Sequence, residues 1–68
     1  MTKKELGDYV LQLAEFELEQ FGIENKWAYY YSRKGDHKQA KVNRDRASVH
    51  HAKYIAYHNC YVLTLEAK

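Results

Sequence analysis

Proline is absent from the 68 residues, glycine occurs three times and cysteine once. Average usage near 5% would give about three prolines in a chain of this length. With no proline, and only Gly7, Gly22 and Gly35 free to take positive φ, disordered linkers and low-complexity tails are not expected. No internal repeat stands out, and residues 1–68 read as one small domain. Cys60 is alone, which excludes a disulfide within the chain. A lone cysteine without a secretory signal pattern predicts a reducing, cytoplasmic setting. Met1 to Lys4 imitate the charged start of such a signal, but Glu5 and Asp8 fall where its apolar stretch would have to run. The apolar runs fall well short of the roughly 18 residues a membrane span needs, so no membrane partner is expected.

A chain this short buries only about 60% of the surface its unfolded form exposes, so its core is thin and a partner is a common remedy. Ten residues are aromatic, seven of them tyrosine. Tyrosine has an apolar body and a polar tip, and a domain of this size cannot bury seven of them, so some belong to a surface or interface. Charge is unevenly placed. In residues 1–25, Lys3 and Lys4 stand against six acids, a net −4. In residues 33–53, seven lysines and arginines stand against Asp36 and Asp45, a net +5. Such asymmetry suggests an acidic partner on the basic side, or two halves of the fold that attract each other.

The clearest local signal is Thr2-Lys3-Lys4-Glu5, the pattern of a capping box. Leu6, Val10, Leu13 and Phe21 come after it at helical spacing, flanked by Tyr9, Ala14, Phe16 and Leu18. This predicts a helix over about residues 3–21, closed by Gly22 and Ile23, with an apolar arc wide enough to be covered on more than one side. Glu17 falls inside that arc. The expectation is that the helix face drifts and Glu17 reaches solvent; the alternative is a buried acid held by a tyrosine hydroxyl or a basic side chain. Lys26–Ser32 is rich in β-formers, with Trp27, Tyr29 and Tyr31 on one face of a strand. Arg33-Lys34-Gly35-Asp36 reads as a hairpin turn, and His37–Arg44 as a polar return strand at a sheet edge. Residues 45–58 fit a helix opened by Asp45 or a strand ending in Tyr54-Ile55-Ala56-Tyr57; the crowding of β-formers favours the strand. Cys60–Ala67 reads as a last strand. The expected fold is therefore α+β, one N-terminal amphipathic helix packed on a three- or four-stranded, mainly antiparallel sheet.

The chemistry-bearing residues converge on the basic segment. Arg33, Lys34, Lys38, Lys41, Arg44 and Arg46 could neutralise phosphates while Tyr29, Tyr30 or Tyr31 stack on exposed bases. His37, His50, His51, His58 and Cys60 offer metal-ligand atoms, but only His58 and Cys60 form a close unlike pair, and structural zinc spacing is missing. No metal or cofactor is expected. Neither an oxyanion hole nor an orienting third group accompanies Cys60, so no enzyme is expected. The expected function is a non-enzymatic binding module whose surface, Tyr29, Tyr31, Arg33, Lys34, Lys38, Lys41, Arg44 and Arg46, contacts nucleic acid or a nucleic-acid-handling protein. The alternative is an inhibitor or adaptor bound to a host enzyme, of the kind phages encode, since exposed tyrosine bordered by arginine also suits a protein interface. A second copy of the chain is a further candidate partner.

Overall fold

The computed structural model describes residues 1–66, and these form two long helices joined by a tight turn: α1, Lys3–Arg33, and α2, His37–Glu66. Among the described residues there is no strand, so the expected α+β fold with a sheet is corrected to an antiparallel helical hairpin. The strands expected over Lys26–Ser32, His37–Arg44, 45–58 and Cys60–Glu66 are all helical, and Ala67 lies outside the described residues. No described helix is long and apolar enough to cross a membrane.

The capping box opens α1 as expected, with the Glu5 amide donating to Thr2 Oγ1 at 3.1 Å and the Thr2 amide to Glu5 Oε1 at 3.2 Å. Helix α1 does not stop at Gly22. It continues through the aromatic run, where i,i+3 and i,i+4 neighbours support one another: Trp27 packs edge-on against Tyr30 with centroids 5.5 Å apart, and lies 6.0 Å from Tyr31. β-propensity expresses a fit to half-buried surfaces, and a long helix with half-buried faces meets the same need. Absence of proline is what lets both helices run unbroken. At the turn, Gly35 takes φ +83, and the Asp36 amide reaches back to the Tyr31 carbonyl at 2.9 Å. Asp36 then caps α2, accepting from the Gln39 amide at 3.1 Å.

The contact between the helices follows a heptad. On α1 one row is Gly7, Ala14, Phe21, Ala28 and the other Val10, Glu17, Glu24, Tyr31; each of these is buried or half-buried. On α2 the rows are Ala40, Ala47, Tyr54, Tyr61 and Asn43, His50, Tyr57, Thr64, likewise buried or half-buried. Small residues let the backbones approach closely. A Cβ on Gly7 would lie 2.8 Å from Thr64 Oγ1. The price is a thin core, in which Ala14, Ala28, Ala40 and Ala47 are the buried apolar residues and no large side chain is fully buried among those described.

Polar groups set the register of this seam. Glu17, only 7% exposed, holds His50 Nδ1 at 2.5 Å. Two turns of α1 onward, Asn43 Nδ2 donates to Glu24 Oε2 at 2.7 Å, and Gln39 Nε2 to Asn43 Oδ1 at 3.0 Å. The expectation of a solvent-exposed Glu17 is thereby corrected, because its heptad position faces α2, where its carboxylate pairs with the His50 ring. No buried side-chain nitrogen or oxygen among the described residues lacks a partner.

A second heptad stripe runs along α1 beside the seam and is largely open. Its rows are Leu6, Leu13, Gln20, Trp27 and Tyr9, Phe16, Ile23, Tyr30. Leu6, Tyr9, Phe16, Ile23, Trp27 and Tyr30 are 41–54% exposed. The hairpin is a rod of 52 × 13 × 13 Å with a Cα radius of gyration of 15.4 Å, where a compact chain of this length has about 11 Å.

Candidate functional site

Folding gathers the cations at one end of the rod. At 1.5 Å per residue, everything from Lys26 to Arg46 lies within roughly 15 Å of the turn. That stretch holds Lys26, Arg33, Lys34, Lys38, Lys41, Arg44 and Arg46 against Asp36 and Asp45, a net +5. All seven cations are exposed.

They do not form one face. On α2, Lys38, Lys41 and Arg44 follow i, i+3, i+6 spacing and build one outer ridge, with Lys34 at the tip. Arg46 falls on the opposite flank, beside Ile23, Trp27 and Tyr31, where a shallow depression of about 290 Å³ opens. Lys41 Nζ is bonded to Asp45 Oδ2 at 3.0 Å, an exposed pair that holds the ammonium only weakly.

The aromatic members separate in the same way. Tyr29, 64% exposed, accepts a hydrogen bond from Arg33 Nη1 at 2.9 Å, and the guanidinium carbon stands 5.6 Å from its ring centroid. Tyr31 instead lies in the seam, half-buried. Two residues apart on a helix is about 200°, so the expected shared face of Tyr29 and Tyr31 is corrected. Lys34 Nζ sits 4.7 Å from the Tyr30 centroid. Hydrogen bonding to Tyr30, reinforced by attraction to that phenol, raises the Lys34 ammonium above its ordinary value, so it stays charged.

Lys26 and Trp27 were not among the expected contact residues, yet with Ile23 and Tyr30 they line a hollow of about 440 Å³ near the same end. Read as a strand, Trp27 pairs with Tyr29 and Tyr31; only the helical period aligns it with Ile23 and Tyr30.

The metal-ligand candidates disperse. His50 is in the seam, His51 stacks on Phe21 with centroids 5.1 Å apart, and His58 lies between Tyr54 at 5.7 Å and Tyr61 at 6.4 Å. Cys60 is exposed and points away from His58, two residues back on the same helix. Among the described residues no three His, Cys, Asp or Glu side chains group as a metal site would need. Compared with known proteins, the chain matches no family model, no curated protein and no solved structure.

Proposed function

We propose that this chain is a non-enzymatic binding module that contacts nucleic acid through the basic end of its helical hairpin. The observation that supports the reading is the ridge of Lys38, Lys41 and Arg44, all exposed on one face of α2 beside the turn, with the exposed Lys34 at the tip. From Lys38 to Arg44 α2 rises about 9 Å, which spans about three phosphates at 3.4 Å of axial rise per strand. Each cation that displaces a condensed counterion contributes affinity without reading sequence. Tyr29, braced by Arg33 at the tip, offers a ring on which an unpaired base can stack.

Titrating labelled single-stranded RNA, single-stranded DNA and duplex DNA at 50 and 200 mM salt tests this. Three phosphate contacts should weaken binding by about 40-fold between the two salt concentrations. Lys38→Ala should lower affinity for all sequences alike and reduce the salt slope by about one. Binding that is absent at 50 mM, or indifferent to salt, removes the reading and turns attention to the protein-binding alternative, in which the arginine-braced tyrosine at the tip docks on an acidic patch of an enzyme.

A further inference from the structure

We infer that the chain forms a twofold symmetric dimer in which the outer stripe of α1 packs antiparallel against the same stripe of a second copy. This is independent of the nucleic-acid reading.

The surface area asks for such a partner. The hairpin exposes 5272 Å², whereas a compact monomer of 8.1 kDa exposes about 4500 Å². The excess of roughly 800 Å² is about what each partner buries in a standard specific interface. It coincides with a feature of matching extent, a heptad stripe along the whole of α1 that is apolar at seven of its eight positions, all but Gln20.

The stripe is self-complementary when run antiparallel, as a twofold interface requires. A pairing centred on residue 18 places Leu6 opposite Tyr30 of the second copy, Tyr9 opposite Trp27, Leu13 opposite Ile23, and Phe16 opposite Gln20. Aliphatic and aromatic side chains thus interleave along the contact, and the lone amide faces a ring edge.

Charge selects this direction over the parallel one. The row bordering the stripe away from the seam reads Glu5, Gln12, Glu19, Lys26, Arg33. Antiparallel pairing sets Glu5 against Arg33 and Gln12 against Lys26, and only the central Glu19 meets itself. Parallel pairing would set Glu5, Lys26 and Arg33 each against its own like charge. On the seam side of the stripe, α2 presents Arg46 and Lys53, which belong in water, so α2 forms the rim and α1 meets α1. The ridge of Lys38, Lys41 and Arg44 points away from this interface, and the dimer carries one such ridge at each end.

Sedimentation equilibrium of the full chain at 5–200 μM should give about 16 kDa, twice the 8.1 kDa chain mass. A mass that stays at one chain throughout overturns the inference. Ile23→Asp and Phe16→Asp each place two charges in a twofold contact and should weaken association by about 100-fold or more. Undiminished dimerisation of either variant, judged at matched helicity by circular dichroism, overturns the assignment to this face. Direction is read from the tip of the rod: a spin label on Lys34→Cys in a Cys60→Ser chain should show an interlabel distance near 50 Å. A distance below about 20 Å means parallel pairing and rejects the arrangement, and absence of any dipolar coupling at 200 μM rejects the dimer.

Discussion

The two faces of α1 use opposite materials for the same geometry. Both carry a heptad over the full helix, yet the face against α2 is built largely from Gly7, Ala14, Ala28 and two glutamates, while the open face carries Leu, Phe, Ile, Trp and Tyr. The intramolecular seam therefore gains little from apolar area, since burying an alanine contributes far less than burying a leucine or phenylalanine. What it gains is close approach and a polar register. The large apolar surface sits where the hairpin itself cannot use it. The seam fixes which helix residues face each other, and the free energy available from hydrophobic burial is held for an outside contact.

That contrast breaks most sharply where a large side chain is forced into the seam. Ala14 is fully buried in the seam, so Ala14→Leu adds three carbons at a position with no outlet to solvent. The expected loss is about 3 kcal/mol, at the upper end of ordinary overpacking. For a domain of this size that lowers Tm by roughly 12–24 °C at fixed chain concentration. Leu18→Ala, at an exposed α1 position belonging to neither stripe, should change stability by under about 0.5 kcal/mol. Similar losses from the two variants would mean the seam is looser than its alanines imply.

The polar register comes next. Glu17→Leu removes the acceptor of His50 within the seam and leaves a part-buried ring nitrogen without its partner, at an expected cost of about 1–3 kcal/mol. Adding His50→Leu should recover most of that loss, because neither orphan remains. A double-mutant cycle by urea denaturation measures the coupling. A double variant worse than the sum of its parts would show that the pair matters through shape rather than through the hydrogen bond.

Part of this design was legible in the sequence, and the reason for the rest is physical. The capping box, the turn at Gly35 and the breadth of the α1 apolar arc are local signals, and each has its place in the structure. So has the presence of Glu17 within that arc. The seam was hidden because its rows are small or polar: Gly7, Ala14 and Ala28 are not read as a core, and the Ala40, Asn43, Ala47, His50 series on α2 has no apolar periodicity. Tyr29-Tyr30-Tyr31 carries strand propensity, which long-range helix pairing overrides. The cations were legible as a group by number alone; that Lys38, Lys41 and Arg44 share a strip while Lys34, Arg46 and Tyr31 leave it is visible only with the helical period.

The turn ranks third in expected effect. Gly35 at φ +83 has open space around it, so Gly35→Ala meets no neighbour and is penalised by backbone conformation alone. The cost should be about 1–2 kcal/mol, and chemical denaturation at a fixed chain concentration reads it. An unchanged midpoint would mean the turn readily adopts another conformation.

The smallest effect is also the cleanest contrast between seam and surface, because one chemical change is made twice in one helix. Gly22 lies mid-helix, exposed, with nothing within 4 Å of where a Cβ would stand. Gly22→Ala therefore adds only helix propensity and should stabilise by about 0.8–1 kcal/mol. Gly7→Ala gains the same propensity, but its Cβ would stand 2.8 Å from Thr64 Oγ1 and 3.9 Å from the Tyr61 ring. Thr64 cannot simply swing aside, since its hydroxyl donates to the Tyr61 carbonyl at 2.6 Å and its branched Cβ leaves few rotamers. Relieving the contact means parting the helices at that end or giving up this hydrogen bond, which offsets a gain of about 1 kcal/mol or exceeds it. Urea melts of the two variants should place Gly7→Ala at least about 1 kcal/mol below Gly22→Ala. Equal stabilisation by both would show that the open end of the hairpin is not held at the spacing that Gly7 and Thr64 define.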